Sequence, residues 1–174
     1  PDSEKCAVDL QNTVLLGGPL GETTVLALRD EAARRGFRMA SLANPEDGAI
    51  LGLDDIGLGL PMSPLTWYHA LGSAKGYVGT RFHALVSCMG SGTPVITVDV
   101  SKPLGRRRNV RNPNYDLCSV ANTSTRYFLK KTFDRAKPPG VFDILFDESM
   151  NQRSAMYAAW AAEEFLRHVA NILD

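Results

Sequence analysis

Gly76 to Val100 reads GYVGTRFHALVSCMGSGTPVITVDV. Gly76-Tyr77-Val78-Gly79 has the size and apolarity of a short buried strand. A glycine-containing turn follows it, then a helix over Phe82 to Met89, a turn of small residues, and a second strand from Thr93 to Val100. Strands joined by single helices favour right-handed crossovers and a parallel sheet covered on both faces. The expected fold class is therefore α/β, a Rossmann-like open parallel sheet.

The flanking sequence extends the same alternation. Thr13 to Leu16 is an apolar run stopped by Gly17-Gly18, the pattern of a buried strand and turn. Glu22 to Arg35 places Val25, Leu28 and Ala32 on one helical face and meets a stop signal at Gly36. Arg38 to Ala43 predicts another strand, and Asn44 to Pro61, rich in Gly and Asp, reads mainly as loop. Ser63-Pro64 combines a capping serine with a proline suited to the first helical turn, so a helix is expected through Trp67 and Leu71 to about Gly72. Residues 101–116 read as a basic surface loop, and Thr125 to Lys131 is too short and mixed to assign. Lys137-Pro138-Pro139-Gly140 reads as a linker and Val141 to Phe146 as a last strand. A terminal helix over 148–174 carries Met156, Trp160, Phe165, Val169 and Leu173 at roughly helical spacing. Trp160 and Phe165 are expected in the core.

Composition narrows the function. The 174 residues suit one domain with a sizeable core, 44% being hydrophobic and 22% charged. Lys plus Arg and Asp plus Glu number 19 each, so no overall field favours nucleic acid. No apolar run approaches the ~20 residues needed to span a bilayer. The chain opens on Pro1 without a basic-then-apolar leader and is expected to be part of a longer polypeptide. Cys6, Cys88 and Cys118 are scattered, and no metal-ligand spacing occurs, so neither a metal nor a cofactor is expected. Cys88 reads as a small core residue.

The chemistry concentrates after the strand ending at Gly79. That glycine is expected to allow a sharp turn, and Thr80 to cap the following helix so that the next amides face open space. The carboxyl end of a parallel strand beside a helix N-terminus is where open α/β sheets take anionic ligands. Arg81 can grip a phosphate or carboxylate in two-pronged fashion, and His83 can exchange a proton near neutral pH. Two residues apart on a helix point to nearly opposite sides, so both serve one ligand only if Arg81 still lies in the turn. A second basic cluster, Arg106, Arg107, Arg108 and Arg111, reads either as an anion-binding arm or as a solvated loop. Gly17 to Gly21 reads mostly as a turn. Trp67, His69 and His168 read as packing or surface residues.

The run Gly79-Thr80-Arg81-Phe82-His83-Ala84-Leu85, then Gly92-Thr93-Pro94-Val95-Ile96, then Asp99-Val100-Ser101-Lys102, resembles the signature of polysaccharide pyruvyl transferases. The likeness extends over roughly 12–130 and is distinctive from Gly79 to Lys102. It implies one half of a two-domain GT-B-like enzyme, with the site in the cleft between two Rossmann-like domains. The implied reaction moves the enolpyruvyl carbons of phosphoenolpyruvate onto two sugar hydroxyls, giving a pyruvate ketal and phosphate. Arg81 and His83 match the family's Arg-x-His, and Lys102 its downstream lysine. Arg81 and Lys102 would contact the donor's anionic groups, and His83 would act as general acid or phosphate contact, with Gly79 and Thr80 shaping the site. The implied partners are phosphoenolpyruvate, a saccharide acceptor and an N-terminal domain outside this chain. The implied setting is exopolysaccharide and cell-envelope synthesis in the cytoplasm, including the inner face of the membrane; the fragment alone is expected to be inactive.

Two other functions compete. A nucleotide-sugar-binding domain of a GT-B glycosyltransferase shares the strand-turn-helix, but usually presents an acidic residue soon after the phosphate-binding turn. Phe82 to Met89 contains none. A non-catalytic scaffold retaining the fold is the third, against which stands the joint presence of Arg81, His83 and Lys102.

Overall fold

The computed structural model describes residues 10–42, 63–100 and 112–173. Among the described residues five strands form one parallel sheet: β1 (Thr13–Gly17), β2 (Arg38–Ser41), β3 (Gly76–Gly79), β4 (Val95–Asp99) and β5 (Tyr127–Leu129), in spatial order β2-β1-β3-β4-β5. The helices are α1 (Glu22–Arg34), α2 (Pro64–Ser73), α3 (Phe82–Ser91), α4 (Pro113–Val120), α5 (Lys130–Phe133), α6 (Pro138–Leu145) and α7 (Glu148–Leu173). The Rossmann-like α/β architecture expected from sequence is thus present.

The period of two in each strand sorts its side chains into two layers. Leu15, Ala40, Tyr77 and Val95 pack with Leu71 of α2, Leu85 and Cys88 of α3 and Cys118 of α4, and Tyr157 of α7 joins this layer. Val14, Leu16, Met39, Val78, Ile96 and Val98 pack with Val25 and Leu28 of α1, Phe133 of α5 and Phe142 and Leu145 of α6. With both faces covered, β1 has no solvent side, which is why Thr13 to Leu16 reads as an unbroken apolar run rather than an alternation.

Local signals set several boundaries. Ser63 accepts from the Thr66 amide at 3.1 Å and starts α2, with Pro64 in its first turn. Gly36, at φ 77°, follows α1 in a conformation that costs glycine little. Before α7, the Asp147 carboxylate accepts from the Ser149 hydroxyl at 2.6 Å and the Met150 amide at 3.2 Å.

Other expectations need correction. Val141 to Phe146 is not a strand, because 138–145 form α6. Pro138 lies in its first turn, and Val141, Phe142 and Leu145 turn one helical face to the sheet. The fifth strand is Tyr127–Leu129, in the stretch left unassigned. Helix α4 begins at Pro113, inside the stretch read as basic loop, because Asn112 caps it through the Asn114 amide. Trp160 and Phe165 are 54% and 67% exposed rather than core. The periodicity of α7 marks an apolar face, but this domain covers only part of it. Ala43, the loop expected over Asn44 to Pro61, and residues 101–111 lie outside the described residues.

The Asp147 carboxyl is held below its usual range, first by the Ser149 hydroxyl and then by the Met150 amide. A depressed carboxylate contributes stability above its unfolded pKa and loses it as pH falls through the folded value. Asp147→Ala is therefore expected to lower the melting temperature at neutral pH. The gap to wild type should close as the scan moves into the acid range; a gap constant with pH would show that the charge plays no part.

Candidate active site

The strand order places the candidate site. From β1 the chain turns to β2 on one side, and its next strand, β3, lies on the other side of β1. The carboxyl ends of β1 and β3 therefore flank a topological switch point, the crevice in which open α/β sheets take ligands. Gly17-Gly18 leaves β1 there and Gly79-Thr80 leaves β3.

The two ends are tied closely. The Thr80 amide donates to the Gly17 carbonyl at 2.8 Å, and the buried Tyr77 hydroxyl donates to the same oxygen at 3.1 Å. The Arg81 backbone amide in turn hydrogen-bonds the Tyr77 hydroxyl. Burial holds the phenol proton well above its ordinary range of release, outweighing the Arg81 amide bond, which acts in the opposite direction. Tyr77 and Gly79 share one face of β3, so the ring runs under the bare backbone of both strands. A Cβ at Gly17 would lie 2.3 Å from the Tyr77 oxygen, and one at Gly79 would lie 2.2 Å from that oxygen and 2.3 Å from the Gly17 carbonyl oxygen. Gly79 is thus required for close approach and not, as expected, for a turn. Gly18 has φ 113°, and a side chain there would meet the Thr80 hydroxyl at 2.1 Å.

Thr80 does not cap α3 either. The capping position is Arg81, with extended φ −89° and ψ 126° and no side-chain cap bond. Arg81 therefore still lies in the turn, the condition for its guanidinium and the His83 imidazole to serve one ligand. Both side chains are exposed, and Arg81 makes no ion pair among the described residues. The Phe82 and His83 rings meet edge to face at 5.9 Å, and the His83 carbonyl accepts from the Ser87 hydroxyl at 2.9 Å. The first-turn amides of α3 and the N-terminus of α1 open onto the same end of the sheet.

Asp99, at the end of β4, accepts from the Tyr127 hydroxyl at 2.5 Å. Tyr127 in turn meets the Tyr115 ring edge to face at 5.3 Å. Thr97, one face-step before Asp99 on β4, accepts from the Asn114 side-chain amide at 2.8 Å. Lys102, Arg106, Arg107, Arg108 and Arg111 lie outside the described residues. His69 and His168 are exposed, Trp67 packs against the core, and Cys88 is buried. No group of three His, Cys, Asp or Glu among the described residues could hold a metal ion. No helix among them is long and apolar enough to cross a membrane.

Residues 37–102 match the family model for polysaccharide pyruvyl transferase. The match runs from Phe37, just before β2, to Lys102, and contains the whole of the switch point's β3 side. It is narrower than the span of resemblance read from sequence, but it includes every residue of the distinctive motif. Among curated proteins and among solved structures, none matches the chain.

Tyr77 escaped the sequence reading, although the signal was there: an aromatic residue two before a strand glycine shares its face. The contacts separate the two glycines by experiment. Gly17→Ala and Gly79→Ala are each expected to destabilise the protein by at least ~1–3 kcal/mol through overpacking. For Gly17 the three nearest atoms all belong to the Tyr77 phenol, so its cost should shrink in a Tyr77→Leu background, giving less-than-additive denaturation energies. For Gly79 the obstacle includes backbone, so its cost should persist. Equal coupling at both sites would contradict this geometry.

Proposed function

We propose that this chain supplies the phosphoenolpyruvate-binding half of an enzyme that forms a pyruvate ketal on a saccharide. The family match supports pyruvyl transfer to a polysaccharide. The observation that carries the finer reading is the placement of an extended Arg81 and a first-turn His83, both exposed, at the switch point.

Phosphoenolpyruvate brings a carboxylate and a phosphate, and the arginine side chain with the first-turn amides of α3 are suited to anions of that kind. In the proposed reaction His83 donates a proton to the methylene carbon, making the methyl group and an electrophilic carbon beside it. One sugar hydroxyl adds there, and the proton it gives up replaces the one His83 donated. The carbon–phosphate oxygen bond then breaks and phosphate leaves. The second hydroxyl closes the ketal, its proton balancing the released phosphate. A second, N-terminal domain completing a GT-B-like cleft, and a cytoplasmic role in envelope polysaccharide assembly, belong to the same proposal. So does donor contact by Lys102 and by the arginines at 106–108 and 111.

The test is a titration of phosphoenolpyruvate, and separately of a nucleoside diphosphate, into the longest polypeptide carrying this chain, followed by melting temperature. Donor at about 100 times its dissociation constant should add about 2.7 kcal/mol of stability. Arg81→Ala should weaken donor binding by roughly 10- to 100-fold, the worth of one charge-assisted contact. His83→Ala should lower turnover by roughly 10²–10⁴-fold. Unchanged donor binding in Arg81→Ala together with unchanged turnover in His83→Ala would sink the assignment, as would stabilisation by the nucleotide alone.

A further inference from the structure

Helices α2 and α3 lie side by side on one layer of the sheet. α2 reads PLTWYHALGS and α3 reads FHALVSCMGS, twenty helical residues without an Asp, Glu, Lys or Arg. A groove of about 540 Å³ runs between them, lined by Tyr68, Gly72 and Ser73 of α2 and by Ser87, Gly90 and Ser91 of α3. Small-molecule sites occupy ~300–1,000 Å³, so the groove has room for a short oligosaccharide.

The groove leads to the candidate site. α2 feeds the start of β3 and α3 the start of β4, so both helices begin toward the carboxyl end of the sheet. His83, Ser87, Gly90 and Ser91 stand at i, i+4, i+7 and i+8 and share one face of α3. The groove-facing stripe of α3 therefore starts at His83 and extends ~12 Å from it, at ~1.5 Å per residue.

Its hydrogen bonding is one-sided. The Ser73 hydroxyl donates to the His69 carbonyl at 2.7 Å, Ser87 to that of His83 at 2.9 Å, and Ser91 to that of Ser87 at 2.8 Å. A hydroxyl has one hydrogen, so these oxygens keep only lone pairs for a ligand. Acceptors without charge suit a neutral molecule that brings its own O–H donors. Tyr68, 51% exposed and braced edge to face on Trp67 at 5.4 Å, adds an aromatic wall for the C–H face of a sugar ring.

We propose that the α2–α3 groove is a subsite for an uncharged stretch of the acceptor saccharide, holding the chain beyond the unit that reaches His83. The ligand's role as acceptor rests on the pyruvyl-transfer reading; its chemical class rests on the groove. An anionic sugar would meet lone pairs and no cation on either helix, losing hydration without replacement.

Gly90 provides the test. A Cβ there would meet nothing within 4 Å, so a larger side chain enters the groove without striking the fold. Leucine is also the better helix former. Gly90→Leu is thus expected to fold, which circular dichroism would check, and to fill the groove.

The probes are neutral tetrasaccharides of glucose, galactose and mannose, with tetragalacturonate as the anionic counterpart. Each is titrated into the longest polypeptide carrying this chain by ligand-observed NMR, to about 10 mM, where even a millimolar site is filled. At least one neutral tetrasaccharide should bind, with its monosaccharide at least ~10-fold weaker and tetragalacturonate not held. Gly90→Leu and Tyr68→Ala should each raise the dissociation constant at least ~10-fold, the loss of about one good contact. Ala33→Glu, on the opposite layer, should leave it unchanged. No binding by any neutral tetrasaccharide, or binding indifferent to both groove variants, would overturn the proposal. Capture of phosphatidylcholine vesicles in place of sugar, abolished by Gly90→Leu, would also overturn it and assign the groove to lipid. Saccharide binding at the groove without any response to phosphoenolpyruvate would keep the saccharide site and remove the pyruvyl-transfer reading.

Discussion

The contact on which the site depends is the hydrogen bond from the buried Tyr77 hydroxyl to the Gly17 carbonyl. A phenol placed between two strands is tolerable only if its oxygen is satisfied, since an unpaired buried hydroxyl costs on the order of 1–3 kcal/mol. Here the oxygen donates to β1 and hydrogen-bonds the Arg81 amide beyond β3. One polar atom therefore fixes the end of β1, the end of β3 and the residue from which α3 begins. Both strands contribute glycine at that level because the ring occupies the space side chains would fill. The backbone of Arg81 is set by the same bond, so the direction from which its guanidinium leaves the sheet follows from packing beneath it.

Much of the fold was readable because its causes are local or periodic. The buried strand at Thr13–Gly17, the serine-proline start of α2, the glycine after α1 and the βαβ run from Gly76 to Asp99 all stand close to where sequence placed them. The failures share a different cause. The six-residue run Val141 to Phe146, apolar but for Asp143, fits a buried strand as well as a short helix, and the choice fell to Lys137-Pro138, which sets an extended residue before a proline-led turn. β5 is only three residues, Tyr127-Phe128-Leu129, between the polar flanks Thr125-Arg126 and Lys130-Lys131, and its pairing with β4 is what makes so short a run a strand. At the site, residue types and positions were legible, whereas the reason for Gly79 was not. Closeness between strands sixty residues apart leaves no mark on composition, only the Tyr77-x-Gly79 spacing on one face.

Helix α7 shows how polar groups fix where an apolar face goes. Its start is held from two directions. Asp147 caps its first turn, and the guanidinium of buried Arg126, just before β5, donates through Nη2 to the carbonyl oxygens of Leu145 and Asp147 and to Asn151 Oδ1. Burial outweighs the nearby Asp147 charge and pulls the Arg126 pKa down to about 10. Holding a cation in so dry a place is costly, so its contribution lies in the joint it makes more than in net stability. That joint links the end of α6 to the start of α7 and ties both to the sheet edge. Ser154 and Tyr157 then settle against the domain, while Trp160, Phe165 and Leu166 project beyond cover. The exposed apolar residues of α7 thus belong to a helix whose origin and heading are set by hydrogen bonds in the core. A surface carried on such a helix is already in place for whatever meets it, with little ordering entropy left to lose on contact.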